Sequence, residues 1–185
     1  MPKPDFTLLT VENSTVFKSF DCNDSDLNDF LYEDSKAYKQ ELLATTFILE
    51  NEDQIIAYYS ILNDSIKIDD ISFPSKNSKK SFLRMFVPHP KRHLKNYPAI
   101  KIGRLAVAKN IQKSGIGSQI IKFIISLAIE QNEKSACKCL LVDAYSKSSL
   151  FYENMGFKYF SESDKHNAIR QMYLDITPYL STNLK

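Results

Sequence analysis

Ile100-Lys101-Ile102-Gly103-Arg104-Leu105-Ala106-Val107-Ala108-Lys109-Asn110-Ile111-Gln112-Lys113-Ser114-Gly115-Ile116-Gly117 joins a strand to a helix through a glycine-bearing turn. Apolar residues fall on Ile100 and Ile102 and then on Leu105 and Val107, so the two-residue strand period slips by one across Gly103-Arg104. Such a slip sends the inward face outward, and a β-bulge is the usual way a sheet absorbs it. After the turn, Ile116, Ile120, Ile124 and Leu127 share one helical stripe, with Ile121, Ile125 and Ala128 beside it. Amides at a helix start have no intrahelical acceptor and point together, which suits an anionic phosphate, and Lys113 adds a full positive charge. The turn is not a P-loop, because no Gly-Lys-Ser/Thr follows, nor a dinucleotide fingerprint, because the third glycine is missing.

Strand and helix patterns alternate on both sides of this stretch. Phe6 to Val11 reads as a short strand, and Leu27 to Tyr38 as a helix for which Asp24, Ser25 and Asp26 supply caps and negative charge. Ala44 to Leu49 and Gln54 to Ile61 form a hairpin about Asn51-Glu52-Asp53. Residues 63–97 form a basic, proline-broken insertion with a short helix near Ser78 to Met85. Downstream, Cys137, Cys139 and Leu141 alternate on a strand, and a helix runs from about Ser146 to Met155 until Gly156 ends it. Lys158 to Phe160 and Gln171 to Ile176 close the pattern. The order implies one α/β domain over residues 1–185: a mixed, mostly antiparallel sheet of six or seven strands, helices on both faces, and a central strand bulged and splayed.

Composition narrows the classes. With 185 residues, 43% apolar and 25% charged, the chain fits a folded domain rather than a disordered or fibrous one. Four glycines is few for this length, and all lie between Gly103 and Gly156, where each is expected to serve a backbone need. Three cysteines, Cys22, Cys137 and Cys139, make neither a disulfide framework nor a zinc site and read as buried thiols; no metal is expected. The longest apolar run, Ile120 to Ile129, is about half of a ~20-residue membrane span, and the N-terminus carries no signal-peptide core, so a cytoplasmic location without membrane association is expected. The net charge of +2 conceals a split: Ile71 to Ile129 contains twelve Lys or Arg and no acid, while the remainder carries twelve basic and twenty-two acidic residues. A surface of one sign focuses anionic ligands whatever the total charge.

Gln112-Lys113-Ser114-Gly115-Ile116-Gly117 after a slipped strand resembles the Gln/Arg-x-x-Gly-x-Gly/Ala motif of the GNAT N-acetyltransferase superfamily. The resemblance extends to Gly103-Arg104-Leu105-Ala106-Val107, to Leu141-Val142-Asp143-Ala144 and to Leu150-Phe151-Tyr152-Glu153-Asn154-Met155-Gly156-Phe157. It implies acetyl-CoA as cosubstrate. The amides of Gln112, Lys113, Ser114, Gly115, Ile116, Gly117 and Ser118 would then hold the pyrophosphate, and the backbone of Leu105, Ala106 and Val107 the acetyl carbonyl and pantetheine. Tyr152 would protonate the leaving thiolate. Splayed strand amides can stabilise the oxyanion formed when an amine attacks a thioester, and a phenol can donate one proton. The chain departs from the family in having Ser146 and Ser149 where many relatives have Asn or Asp and Ala; Ser146 could bond the cofactor arm or cap the helix. No general base stands out.

A narrower resemblance covers residues 6–176. Phe20-Asp21-Cys22, Leu27-Asn28-Asp29-Phe30-Leu31, Thr45-Thr46-Phe47 and Ala57-Tyr58-Tyr59-Ser60-Ile61-Leu62 are similar to the acetyltransferase toxins of bacterial type II toxin–antitoxin modules. That resemblance implies acetylation of the α-amine of aminoacyl-tRNA and a small antitoxin partner, and it allows a homodimer. The acid-free run then supplies phosphate contacts: Lys76, Lys79, Lys80, Arg84, Lys91, Arg92 and Lys95, with Arg104 a further candidate. Two alternatives stand beside it: a GNAT enzyme acting on a small-molecule or protein amine, and a non-catalytic protein that binds acetyl-CoA or a partner.

Overall fold

A computed structural model describes residues 6–87 and 94–180. Its seven strands are β1 (Thr7–Thr10), β2 (Thr45–Glu50), β3 (Ile55–Lys67), β4 (Asn96–Val107), β5 (Cys139–Tyr145), β6 (Lys158–Tyr159) and β7 (Ile169–Asp175). They form one sheet in the order β1-β2-β3-β4-β5-β7-β6. The registers of β1 with β2, β2 with β3, β5 with β7 and β6 with β7 are all antiparallel. The helices are α1 (Ser25–Asp29), α2 (Ser35–Gln40), α3 (Lys76–Phe86), α4 (Ile116–Gln131), α5 (Ser149–Asn154) and α6 (Thr177–Leu180). The chain divides into two compact units, residues 1–62 with 102–123 and residues 63–101 with 124–185.

In the first unit, α1 and α2 are two parts of one helical run joined by a π-helical turn, Phe30–Asp34. The Asp24 side chain caps the run by accepting the Leu27 N–H at 3.3 Å, as the sequence implies. Within the π turn the Ser35 N–H reaches back to the Phe30 carbonyl, and Ser35 Oγ donates to the Leu31 carbonyl at 2.5 Å. The turn places Phe30 and Leu31 in a core with Val11, Phe20, Ile48, Ile55, Tyr58 and Ala106. A contiguous apolar cluster of this kind is where burial stabilises most, at ~25 cal/mol per Å² of apolar area.

The second unit is built around aromatic packing. Phe82, Leu83 and Phe86 on α3 are buried with Tyr97, Cys139, Leu141, Phe160 and Tyr173. Helix α3 begins two residues before its sequence-derived start and ends one beyond its end, because Ser75 and Ser78 form a capping box. Cys137 and Cys139 are buried and unbridged, as is Cys22 in the first unit.

Burial along β4 does not follow a single alternation. Ala99 and Ile100 are both buried, and Gly103, Arg104 and Leu105 are all half-buried, the latter run spanning the slip seen in the sequence. Of the three residues expected to line the acetyl group, Ala106 is sealed while Leu105 and Val107 stay half-buried. The helix expected from Ser146 to Met155 is shorter: residues 146–148 form a turn and α5 starts at Ser149. The last strand starts earlier than expected, at Ile169, because it pairs with β5 over all seven of its residues.

Candidate active site

The glycine-bearing turn is held in shape from its flanks. Gln112 Nε2 donates to the Val107 carbonyl at 3.1 Å and to the Cys22 carbonyl at 3.0 Å, tying the turn to the end of β4 and to the segment before α1. Next to it, Lys109 donates its backbone N–H to the Asp21 carbonyl at 2.9 Å and its ammonium to Asp21 Oδ2 at 2.7 Å. Asp21 also accepts from the Asn23 N–H at 2.8 Å and from Asn28 Nδ2 at 3.0 Å. Asn28 Oδ1 in turn accepts the Cys22 N–H at 3.0 Å. The hydrogen bond from Lys109, followed by those from Asn23 and Asn28, lowers the Asp21 carboxyl to about 2. Phe20-Asp21-Cys22 and Leu27-Asn28 thus act together as a brace. Sequence reasoning met these residues only as a family likeness, because nothing local says that residue 21 touches residue 109.

Within the turn, Lys113 has φ 64° and Gly115 φ 90°. Left-handed backbone is costly for a side-chain-bearing residue, and its presence at Lys113 marks a turn whose shape is imposed by its surroundings. The Ser114 N–H is engaged by the Ile111 carbonyl at 3.3 Å. The first bond of α4 runs from the Gln119 N–H to the Gly115 carbonyl at 3.1 Å, so the amides of Ile116, Gly117 and Ser118 precede it. A Cβ built on Gly115 would meet nothing within 4 Å, so the turn is open there. Amides ahead of the helix's first bond, a positive helix end and open space at Gly115 beside a lysine fit a pyrophosphate.

On the same strand, Arg104 lies with its guanidinium 5.0 Å from the centre of the Phe30 ring. Its Nη1 donates to the Gly103 carbonyl at 2.9 Å, while its Nε is buried without an acceptor. Lys95 is exposed at the start of β4's approach in the second unit. Lys91 and Arg92 lie outside the described residues.

Tyr152 belongs to the second unit and is 6% exposed. Helix α5 ends in a Schellman pair: the Phe157 N–H bonds the Tyr152 carbonyl at 3.0 Å and the Gly156 N–H bonds the Glu153 carbonyl at 2.9 Å. Gly156 has φ 90°, which a glycine adopts without penalty. The apolar contact that accompanies such a cap is the Tyr152–Phe157 ring pair, edge to face at 5.4 Å, and Phe151 lies against Tyr152 at 5.1 Å. Leu150 to Phe157 is therefore a device that fixes one phenol. Burial pushes the Tyr152 hydroxyl well above the ordinary tyrosine range, so it stays protonated at neutral pH. Ser146 is exposed, its N–H bonds the Ala168 carbonyl at 3.1 Å, and Ser148 rather than Ser146 precedes the helix. Ser149 is buried and accepts a 2.7 Å bond from Arg170 Nη1.

These features meet a direct comparison in the sequence family. The model of the acetyltransferase (GNAT) domain matches residues 43–159, from before β2 to the end of β6. The chain belongs to the GNAT acetyltransferases. The reaction is N-acetyl transfer, and acetyl-CoA is the family's acetyl donor; among the described residues no cluster of His, Cys, Asp and Glu could hold a metal.

Solved structures carry the same GNAT fold over nearly the whole chain. A tyrosine-to-phenylalanine mutant of KacT is 21% identical, with a TM-score of 0.75 over 96% of this chain and 98% of the other. AtaT complexed with acetyl-methionyl-tRNAfMet is 21% identical, with a TM-score of 0.74 over 98% and 100% of the two chains. A mutant AtaT toxin bound to the C-terminus of the antitoxin AtaR and acetyl-CoA is 18% identical, with a TM-score of 0.73 over 98% and 100%. Among the described residues no helix is long and apolar enough to cross a membrane.

Proposed function

We propose that this GNAT acetyltransferase is a cytoplasmic toxin that moves the acetyl group of acetyl-CoA to the α-amine of aminoacyl-tRNA and is neutralised by a small antitoxin. The observation that carries the reading is the braced turn at Gln112–Ser118, held by the same Phe20–Asn28 residues that resemble the acetyltransferase toxins. The full-length likeness to AtaT, seen with acetyl-methionyl-tRNAfMet and with AtaR, supports the choice of acceptor and partner. The acid-free run is consistent with an RNA acceptor, since Lys76, Lys80 and Arg84 are exposed along α3 at four-residue spacing. Like charges at that spacing repel weakly, and a bound polyanion would offset that repulsion.

Acetyl-CoA supplies an acetyl thioester. The amides around Gln112, Lys113, Gly115, Ile116, Gly117 and Ser118 hold its pyrophosphate, and the backbone of Leu105 to Val107 polarises the acetyl carbonyl. The neutral amine forms the new C–N bond as the C–S bond breaks, its proton leaving to water. Tyr152 gives the thiolate a strong hydrogen bond or its hydroxyl proton, which the phenolate then regains from water. Full transfer from a phenol of pKa ~10 or above to a thiolate of pKa ~8.5 is uphill by at least about 2 kcal/mol, so hydrogen-bond stabilisation carries much of the effect.

The test is transfer of labelled acetyl from acetyl-CoA to a pool of aminoacylated tRNA, with deacylated tRNA, polyamines and peptides beside it, by wild type and Tyr152→Phe. Label on charged tRNA alone, reduced about 10²- to 10⁴-fold in the variant while acetyl-CoA still binds, is the expected result. Label confined to the amine panel would retain the acetyltransferase and remove the toxin.

A further inference from the structure

Arg104 is a cation that the first unit half-buries, with no ion pair among the described residues. Among the described residues no carboxylate oxygen lies within 4.0 Å of its guanidinium. Lys109, five residues later in the same acid-free run, is by contrast paired with Asp21. A partly desolvated charge is costly, and because its Nε–H is sealed from solvent, the edge the guanidinium can offer a ligand is the Nη pair. Its position is also unusually fixed. The guanidinium rests on Phe30, which stacks on Tyr58 at 6.3 Å and meets Tyr38 edge-on at 5.2 Å. Tyr58 is anchored by a 2.6 Å bond from its hydroxyl to the Leu27 carbonyl. Phe30 opens the π-helical turn, a rare helical form found disproportionately at functional sites. Asp24 and Asp26, at the start of α1, act electrostatically on Tyr58 at longer range, as Arg104 does with the opposite sign. The fold thus holds a planar fork of donors on an aromatic platform, directly before the Leu105–Val107 strand segment.

We propose that Arg104 binds a phosphate of the acceptor, the one attached to the aminoacylated terminal nucleoside, and so positions the amine. The inference rests on the aminoacyl-tRNA reading above and deepens it. In an aminoacyl ester the amino acid's own carboxylate is gone, so the anion such an acceptor offers is phosphate. Arginine matches phosphate through two parallel charge-assisted hydrogen bonds; here Nη2 and the second N–H of Nη1 are the donors for them, with the guanidinium's geometry preset by Phe30 and the Gly103 carbonyl. Arg104 acts as a positioning group in this scheme and takes no part in bond making.

Two small acceptors separate this role from a structural one: a 3′-aminoacyl-adenosine with a stable amide link, and the same molecule carrying a 5′-phosphate. With wild type, the phosphate is expected to lower KM about ten- to hundredfold with little change in kcat. In Arg104→Gln that advantage collapses, and the kcat/KM values of the two acceptors converge. Arg104→Lys, which keeps the charge and loses the fork, retains part of it. Melting curves of both variants report whether the fold is intact. Equal losses on both acceptors, with the phosphate advantage preserved, would overturn the proposal and leave the tRNA reading standing. A wild-type enzyme that acetylates other amines but neither nucleoside would overturn both.

Discussion

Replacing Gln112 by Met keeps the side chain's length and removes its donor, so it isolates the tie that shapes the turn. Two hydrogen bonds are lost, to the Cys22 carbonyl at 3.0 Å and to the Val107 carbonyl at 3.1 Å. Each is worth ~0.5–1.5 kcal/mol net. The Val107 bond is solvent-exposed and the Cys22 bond only part-buried, so water can replace both and the sum falls in the lower half of that range, about 1–2 kcal/mol. If most of this appears as disorder of the free turn, binding must restore the order, and acetyl-CoA affinity falls about 5- to 30-fold. The assay is calorimetric titration of acetyl-CoA, with acetyl-pantetheine as the donor in a parallel kinetic series. Acetyl-pantetheine has no pyrophosphate, so its KM should barely move while that of acetyl-CoA rises. An equal loss with both donors would mean that Gln112 supports the strand rather than the phosphate turn. Unchanged acetyl-CoA affinity would refute the idea that the turn is preorganised by its side chain.

Two further outcomes follow from the same geometry. Gly156→Ala forces a side-chain-bearing residue to φ 90° and puts its Cβ 3.3 Å from Leu174 Cδ1; a loss of roughly 1–2 kcal/mol in urea unfolding is expected, with kcat reduced because Tyr152 shares the cap. An unchanged midpoint would show that the backbone relaxes there. Asp21 has a folded pKa near 2, below the ordinary value of 3.8, so its contribution is present above the unfolded pKa and is lost as pH falls through the folded one. Stability of the wild type should therefore drop more steeply than that of Asp21→Asn between about pH 4 and 2, as read by acid titration of ellipticity; parallel curves would remove the brace.

The glycine turn, the slip across Gly103-Arg104 and the cap ending at Gly156 were legible in the chain because each is a local event. A left-handed glycine, a helix start or a broken alternation needs a particular residue type at a particular spacing, and that constraint is written within a few positions; the left-handed Lys113 is not, because its surroundings impose it. Most strands and helices were equally local, since two-residue and 3.6-residue periods differ within one segment, though β3 and β4 run into the 63–97 stretch read as an insertion and α6 was not expected. Element edges were less so: α5 is shorter than its apolar pattern because the Ser146 amide bonds Ala168, more than twenty positions away.

What the sequence by itself determined, then, was the inventory: most of the strands and helices, a glycine-bearing turn ahead of the longest helix, and a helix closed by Gly156. Tertiary structure alone decided how the charges are spent. Of the twelve cations in the acid-free run, Lys79 is paired with Asp69, Lys101 with Asp143 and Lys109 with Asp21, all from outside it, while Arg104 is set against an aromatic ring with no ion pair among the described residues. A count along the chain treats these residues alike. Coulombic attraction and desolvation depend on distance and burial in space, and those are fixed only when residues far apart in sequence are brought into contact.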